Sequence, residues 1–415
     1  NLPLWVKLPL KFRWVQLGAE GIWRDALDSH ARAGQPCAMF DLRPVGYVIG
    51  LLVCALGVTM LAPLLADLVA GNGHWPAFLE SAVITILSGG FIALSCANGV
   101  SSGLSIRQTF MLTTLVWFTL PLFGSLPFML GATEASFTDA FFEAMSGLTT
   151  TGSTVIVGLD DLPDGLKLWR GVLQWLGGIG IIVVAMVFLP ELRVGGMQIF
   201  RSESFDTMGK ILPRATEISS NISVIYVGIT LAAALAYAAT GMNAFDALVH
   251  AMTTVATGGM ANYDSSFAQF GAGTLYVASV FMILSALPFV RYVQLISGTA
   301  KPLFQDSQIR VFFATIAVIV TIMTLFLWRN FHGFEEIAFR EALFNVVSIM
   351  TGTGYSSTDY MAWGSFAVVV FFFIGLIGGC AGSTACSIKV FRYQLLFTSI
   401  KAQVRRIHSP HGMFT

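Results

Sequence analysis

Three stretches of this sequence carry residue types suited to holding a desolvated cation. They are residues 139–152, 246–259 and 341–354. In each, an acidic residue (Asp139, Asp246, Glu341) is followed at once by alanine and, 13 positions on, by glycine. Between them runs a short amphipathic segment ending in Thr and Gly. A cation entering a bilayer must exchange its water shell for protein oxygens, and rings of backbone carbonyls can supply them. Glycine adopts positive φ without strain, so successive carbonyls can face one axis. Threonine adds a hydroxyl oxygen and a stiff side chain. A short helix that ends just before such a stretch aims its partial negative end at the cation. The pattern predicts a filter lined by Thr150, Thr151 and Gly152, by Thr257, Gly258 and Gly259, and by Gly352, Thr353 and Gly354. The ion is expected at Thr151, Gly152, Gly259 and Gly354. One such motif alone reads as a glycine turn in an exposed loop. Three at matched spacing form an internal repeat.

The elements that must position these stretches are membrane helices. Of the 415 residues, 55% are hydrophobic and only 11% charged, and the mean hydropathy is +0.74. Soluble domains carry about 25% charged residues. Eight apolar runs are long enough to cross a bilayer, which takes about 20 residues. They lie near 45–66, 77–97, 110–130, 171–190, 222–241, 272–290, 311–328 and 364–388. The alternating pattern of a membrane β-barrel is absent, so the expected class is an all-α membrane protein. Alternate loops divide the 23 Lys and Arg unevenly, with 19 on the side that holds both ends of the chain. By the positive-inside rule that side is cytoplasmic.

Composition also excludes functions. A net charge of zero gives no reason to expect a nucleic-acid partner. No phosphate-binding loop and no H-E-x-x-H motif occur, and no resident cofactor is expected. The cysteines Cys37, Cys54, Cys96, Cys380 and Cys386 show no paired spacing and read as small buried hydrophobes. The spans hold no convincing His, Asp and Glu set, so the chain is not expected to be an enzyme. Residues 1–38 have five Lys/Arg and no spanning run. They read as an N-terminal cytoplasmic segment on which the fold does not rest, native or not, with Met39 a natural beginning.

Two motifs fall on spans. Residues 169–180 open the fourth run with glycines that suit helix packing, but packing alone accounts poorly for Arg170 and Gln174. Residues 378–387 are ten small residues in a row, a poor helix. They read either as a bent helix end or as a loop under the filter that gates it. The gating reading picks out Gly378, Gly379, Gly382, Ser383, Thr384 and Lys389.

At these motifs the chain resembles the Trk/Ktr/HKT superfamily of potassium transporters, and within it the bacterial TrkH/TrkG membrane subunits. The resemblance covers about residues 39–412 and rests on six motifs: residues 145–152, 169–178, 195–204, 256–264, 351–354 and 378–389. It implies two extra N-terminal helices followed by helix–pore hairpin–helix units around a pseudo-fourfold pore. The units map to 39–109 for the extra helices, and to 110–219, 220–306 and 307–415 for three pore units. A fourth unit is expected to be absent from these residues, and three alone are expected not to conduct. The resemblance implies potassium uptake across the bacterial inner membrane, with potassium as the substrate. It also implies a homodimer and a cytoplasmic regulatory subunit that binds nucleotides. In the superfamily, sodium preference goes with serine at the first filter glycine, and Gly152 is glycine here. Sodium or ammonium transport on the same scaffold is the alternative. Ala385-Cys386-Ser387 replaces the superfamily's usual paired glycines, which bears on the flexibility of the gating loop.

Overall fold

The computed structural model describes residues 41–99, 104–183, 215–332 and 336–408. Residues 1–38 and the motif at 195–204 lie outside the described residues. The described chain is helical, with no strand beyond one isolated bridge between Ile377 and Ile388.

Helices α1 (Arg43–Thr59) and α2 (Leu61–Ala70) form one apolar span. It packs on α3 (Trp75–Cys96) at glycines. A Cβ at Gly50 would stand 2.5 Å from the backbone nitrogen of Ala93, and one at Gly89 would stand 2.7 Å from the Gly50 carbonyl. Such close backbone approach is how apolar helices gain packing in lipid.

Three units of similar build follow. The first has α4 (Ile106–Gly124) continued by α5 (Leu126–Leu130), then α6 (Phe137–Leu148) and α7 (Asp164–Val183). The second has α8 (Ala215–Ala239), α9 (Ala244–Val255), and α10 (Ala272–Ser285) with α11 (Phe289–Ile296). After α12 (Lys301–Gln305), the third has α13 (Ser307–Leu327), α14 (Glu336–Thr351) and α15 (Ser365–Ile374). Helix α16 (Val390–His408) ends the described chain and is almost wholly exposed.

The first two central helices start just before their acids, while α14 starts at Glu336, five residues ahead of Glu341. Ser136 accepts the amide of Asp139 at 3.3 Å, and Asn243 that of Asp246 at 2.7 Å. Both of these acids thus lie in the first turn of their helices, where they complement the dipole.

Five described helices or helix pairs are long and apolar enough to cross a membrane, and a sixth is the pair α10–α11, bent by 89°. This corrects two of the eight predicted runs, 272–290 and 364–388. The run 272–290 breaks at Pro288, which has no amide to continue a helix. The run 171–190 begins one residue after the buried Arg170 and is helical as far as Val183, and residues 184–190 are outside the described range. The run 364–388 is a ten-residue helix followed by irregular chain. The cysteine reading is corrected too: Cys54, Cys96, Cys380 and Cys386 are free, but only Cys380 is buried.

Candidate functional site

The three Thr/Gly stretches come together, and they share a backbone. Thr150 and Gly152 have φ of 56° and 80°, Thr257 and Gly259 have 51° and 74°, and Gly352 and Gly354 have 75° and 86°. In each pair the residue between keeps a negative φ. The left-handed turn ends the helix, and the alternation brings successive carbonyls toward one side. It also sets the register: Thr257 aligns with Thr150, while Thr151 and Thr353 align with Gly258.

The segments touch in chain order. A Cβ at Gly152 would stand 2.0 Å from the Gly258 carbonyl oxygen, and one at Gly259 would stand 1.8 Å from that of Thr353. Gly152 and Gly259 are therefore required twice, for φ and for space. The middle segment is the most enclosed, with Thr257 buried, while Thr151 and Gly354 are exposed.

Seven residues after each acid, a hydroxyl residue holds the loop. The Ser146 carbonyl accepts from the Thr151 amide at 2.9 Å, the Thr253 carbonyl from Gly258 at 2.9 Å, and the Ser348 carbonyl from Gly354 at 3.3 Å. The Ser146 hydroxyl donates to the Ser153 carbonyl at 2.6 Å, and Ser348 to Tyr355 at 2.7 Å. In the second unit Thr253 instead meets the Tyr355 hydroxyl of the third, which also donates to the His250 carbonyl at 3.3 Å.

Sequence reasoning missed a further tier, one turn after each acid. Glu143, His250 and Asn345 occupy this position. Glu143 accepts from the Thr154 hydroxyl at 2.9 Å and the Val155 amide at 3.2 Å. His250 Nε2 accepts from the Asn262 amide at 3.4 Å, and Asn345 Nδ2 donates to the Ser357 hydroxyl at 2.8 Å. Each side chain ties its helix to the chain leaving the Thr/Gly stretch. The signal was a shared spacing, hidden because Glu, His and Asn look unrelated. Asp246 adds to it by accepting from Asn262 at 2.7 Å and from the Tyr263 hydroxyl at 2.6 Å. Burial and then that hydrogen bond push the Tyr263 phenol up to about 12, so it remains a donor in neutral water.

Arg170 and Gln174 on α7 now have partners. Arg170 Nε lies 2.8 Å from Glu143, both fully enclosed, and its Nη1 donates to the Ala261 carbonyl at 2.7 Å. Gln174 Oε1 accepts from the Met260 amide at 3.1 Å. The neighbouring glycines do pack: Gly177 faces the Leu148 carbonyl and Gly178 faces Ala256 and Tyr226.

Residues 375–389 form an irregular loop against the ends of α9 and α14. The Thr384 hydroxyl reaches the carbonyls of both Val255 and Ser285 at 3.1 Å. The Cys386 amide donates to the Thr351 carbonyl at 3.3 Å. The loop also satisfies the break in α10–α11: Cys380 donates to the Ala286 carbonyl at 2.9 Å, and the Gly382 carbonyl accepts from Phe289 at 3.0 Å. Gly382 has φ of 74°. A Cβ at Gly378 would stand 2.0 Å from the Cys386 carbonyl oxygen, and one at Gly379 would stand 2.9 Å from that of Ala286. Ser383 closes a turn onto Cys380 at 2.7 Å, and Lys389 donates to the Ala385 carbonyl. Such irregular backbone at membrane depth persists only where protein satisfies it.

An all-α bundle with broken helices and converging re-entrant loops defines a multi-pass membrane transporter. Residues 74–414 match the family described as TrkH, cation transport protein. The Trk system potassium uptake protein TrkI of Halomonas elongata is 42% identical over 374 residues, covering 89% of this chain and 75% of the relative. The corresponding TrkH of Escherichia coli is 36% identical over 380 residues, covering 90% and 78%. The crystal structure of the potassium transporter TrkH from Vibrio parahaemolyticus superposes with a TM-score of 0.81 at 34% identity, covering 90% of this chain and 78% of that one. This chain belongs to the TrkH family of cation transport proteins.

Proposed function

We propose that this protein takes up potassium ions across the bacterial inner membrane, along a path lined by backbone oxygens of residues 150–152, 257–259 and 352–354. The observation that carries this is the repeated pair of left-handed residues in all three stretches, with the stretches in backbone contact. Three helices end at these stretches, so their negative ends favour a cation over an anion. Relatives named for potassium uptake support the choice of ion. Glycine at 152 fits potassium better than sodium within that resemblance.

In this reading both termini of the chain are cytoplasmic, the loop 375–389 gates the path from below, and the protein works as a homodimer. A cytoplasmic subunit that binds nucleotides regulates it. The test is rubidium uptake by vesicles holding the full-length protein, competed by potassium, sodium or ammonium. Competition by potassium well ahead of the other two is expected. Equal competition by sodium or ammonium would replace the proposal with the alternative cargo.

A further inference from the structure

Gln174 belongs to α7 of the first unit, yet its side chain lies on the second unit's Thr/Gly segment. A Cβ at Gly258 would stand 2.4 Å from the Gln174 Cδ and 2.5 and 2.6 Å from its Oε1 and Nε2. The carboxamide therefore stacks against the Gly258 α-carbon. Gly258 lacks a positive φ, so the side chain above it is what demands glycine. The same Nε2 is 3.7 Å from a Cβ position on Gly152, and the Gly258 carbonyl is the atom nearest to that position. One amide thus lies on the second segment and beside the space above Gly152 in the first.

Gln174 is fully buried, and its bonding is lopsided. Oε1 holds the Met260 amide at 3.1 Å, while Nε2 has no hydrogen-bond partner. Burying an unpaired donor costs stability. An apolar side chain of similar length would fill the space without that penalty. A polar group kept at such a cost calls for another explanation than stability.

We propose that Gln174 is a positioning residue for ion selection. Its carboxamide acts as a spacer that sets how far segment 257–259 stands from segment 150–152. Carbonyl rings discriminate between potassium and sodium through their size and field, so the spacer governs that discrimination. The inference rests on the proposed ion path through these segments.

The test measures uptake of rubidium and sodium by the full-length protein and its variants, at matched membrane abundance. Gln174→Met keeps the length and loses the acceptor. Gln174→Ala also removes the spacer. Gln174→Ala should lower the preference for rubidium by about five- to tenfold, the scale of one buried hydrogen bond, and Gln174→Met by less, because it keeps the spacer. Gly258→Ala should match Gln174→Ala by forcing the carboxamide away. The double variant Gln174→Ala with Gly258→Ala should be no less selective than Gln174→Ala alone, because the vacated space accepts the methyl group. A wild-type preference in Gln174→Met and Gln174→Ala would overturn the inference. So would losses that simply multiply in the double variant. A wild-type protein that carries neither ion would instead overturn the proposed path itself.

Discussion

At the scale of single residues, the chemistry depends on glycines that have no alternative and on one buried ion pair. Gly152→Ser must adopt a left-handed φ and push its Cβ into the Gly258 carbonyl oxygen. The two segments then separate, and the site changes size. The expected outcome is a higher ratio of sodium to rubidium flux than in the unaltered protein. Unchanged flux ratios would remove segment 150–152 from the ion path. Arg170 and Glu143 form the other constraint. Breaking a buried pair by removing one partner costs about 3–5 kcal/mol, because the remaining charge is stranded. Glu143→Gln and Arg170→Met should each lower the thermal stability of the detergent-solubilised protein markedly. The double variant should be less damaged than the sum of the two, as a double-mutant cycle would show. Additive losses would mean the pair does not act as a unit.

At the scale of elements, each central helix is fastened to the chain that leaves its Thr/Gly stretch, and neighbouring units are cross-tied. Tyr355 is the clearest tie, since its hydroxyl connects the third stretch to Thr253 and the His250 carbonyl of the second. Tyr355→Phe keeps the ring packed on Phe267 and removes only these bonds. A loss of about 1 kcal/mol is expected for such a bond, visible as a lower melting temperature and a weaker rubidium preference. The loop 375–389 is fastened differently. Thr384 binds it to the carbonyl that ends α9 and to the carbonyl at the bend after α10. Thr384→Val frees both carbonyls and loosens the loop. Faster rubidium uptake with an unchanged ion preference is the expected result in vesicles. Slower uptake would show that the loop supports the path and does not close it. The sequence located this loop through its run of small residues. It could not show that the loop also repairs the break at Pro288, since the donor, Cys380, and the acceptor, Ala286, are far apart in the chain.

At the scale of the molecule, α16 presents Lys401, Arg405 and Arg406 on an exposed helix. If the regulatory subunit docks there, neutralising all three should weaken its co-purification while the protein still inserts normally. Retained co-purification would leave these charges as a positive-inside anchor alone. Length, hydropathy and charge asymmetry, read along the chain, determined the membrane class and the candidate segments. The 13-residue spacing from acid to glycine determined which residues line up, because a short helix and its turn are local structures with a fixed length per residue. The tertiary structure alone decided the rest. It showed that two of the eight apolar runs are bent or cut short, since a broken helix is stable only when distant chain satisfies its free carbonyls. It also decided which neighbours the glycines serve: Gly152 meets Gly258, Gly259 meets Thr353, and Gly258 makes room for Gln174. Those contacts join units about 100 residues apart in the chain, and no local periodicity encodes which distant backbone will pack against a given glycine.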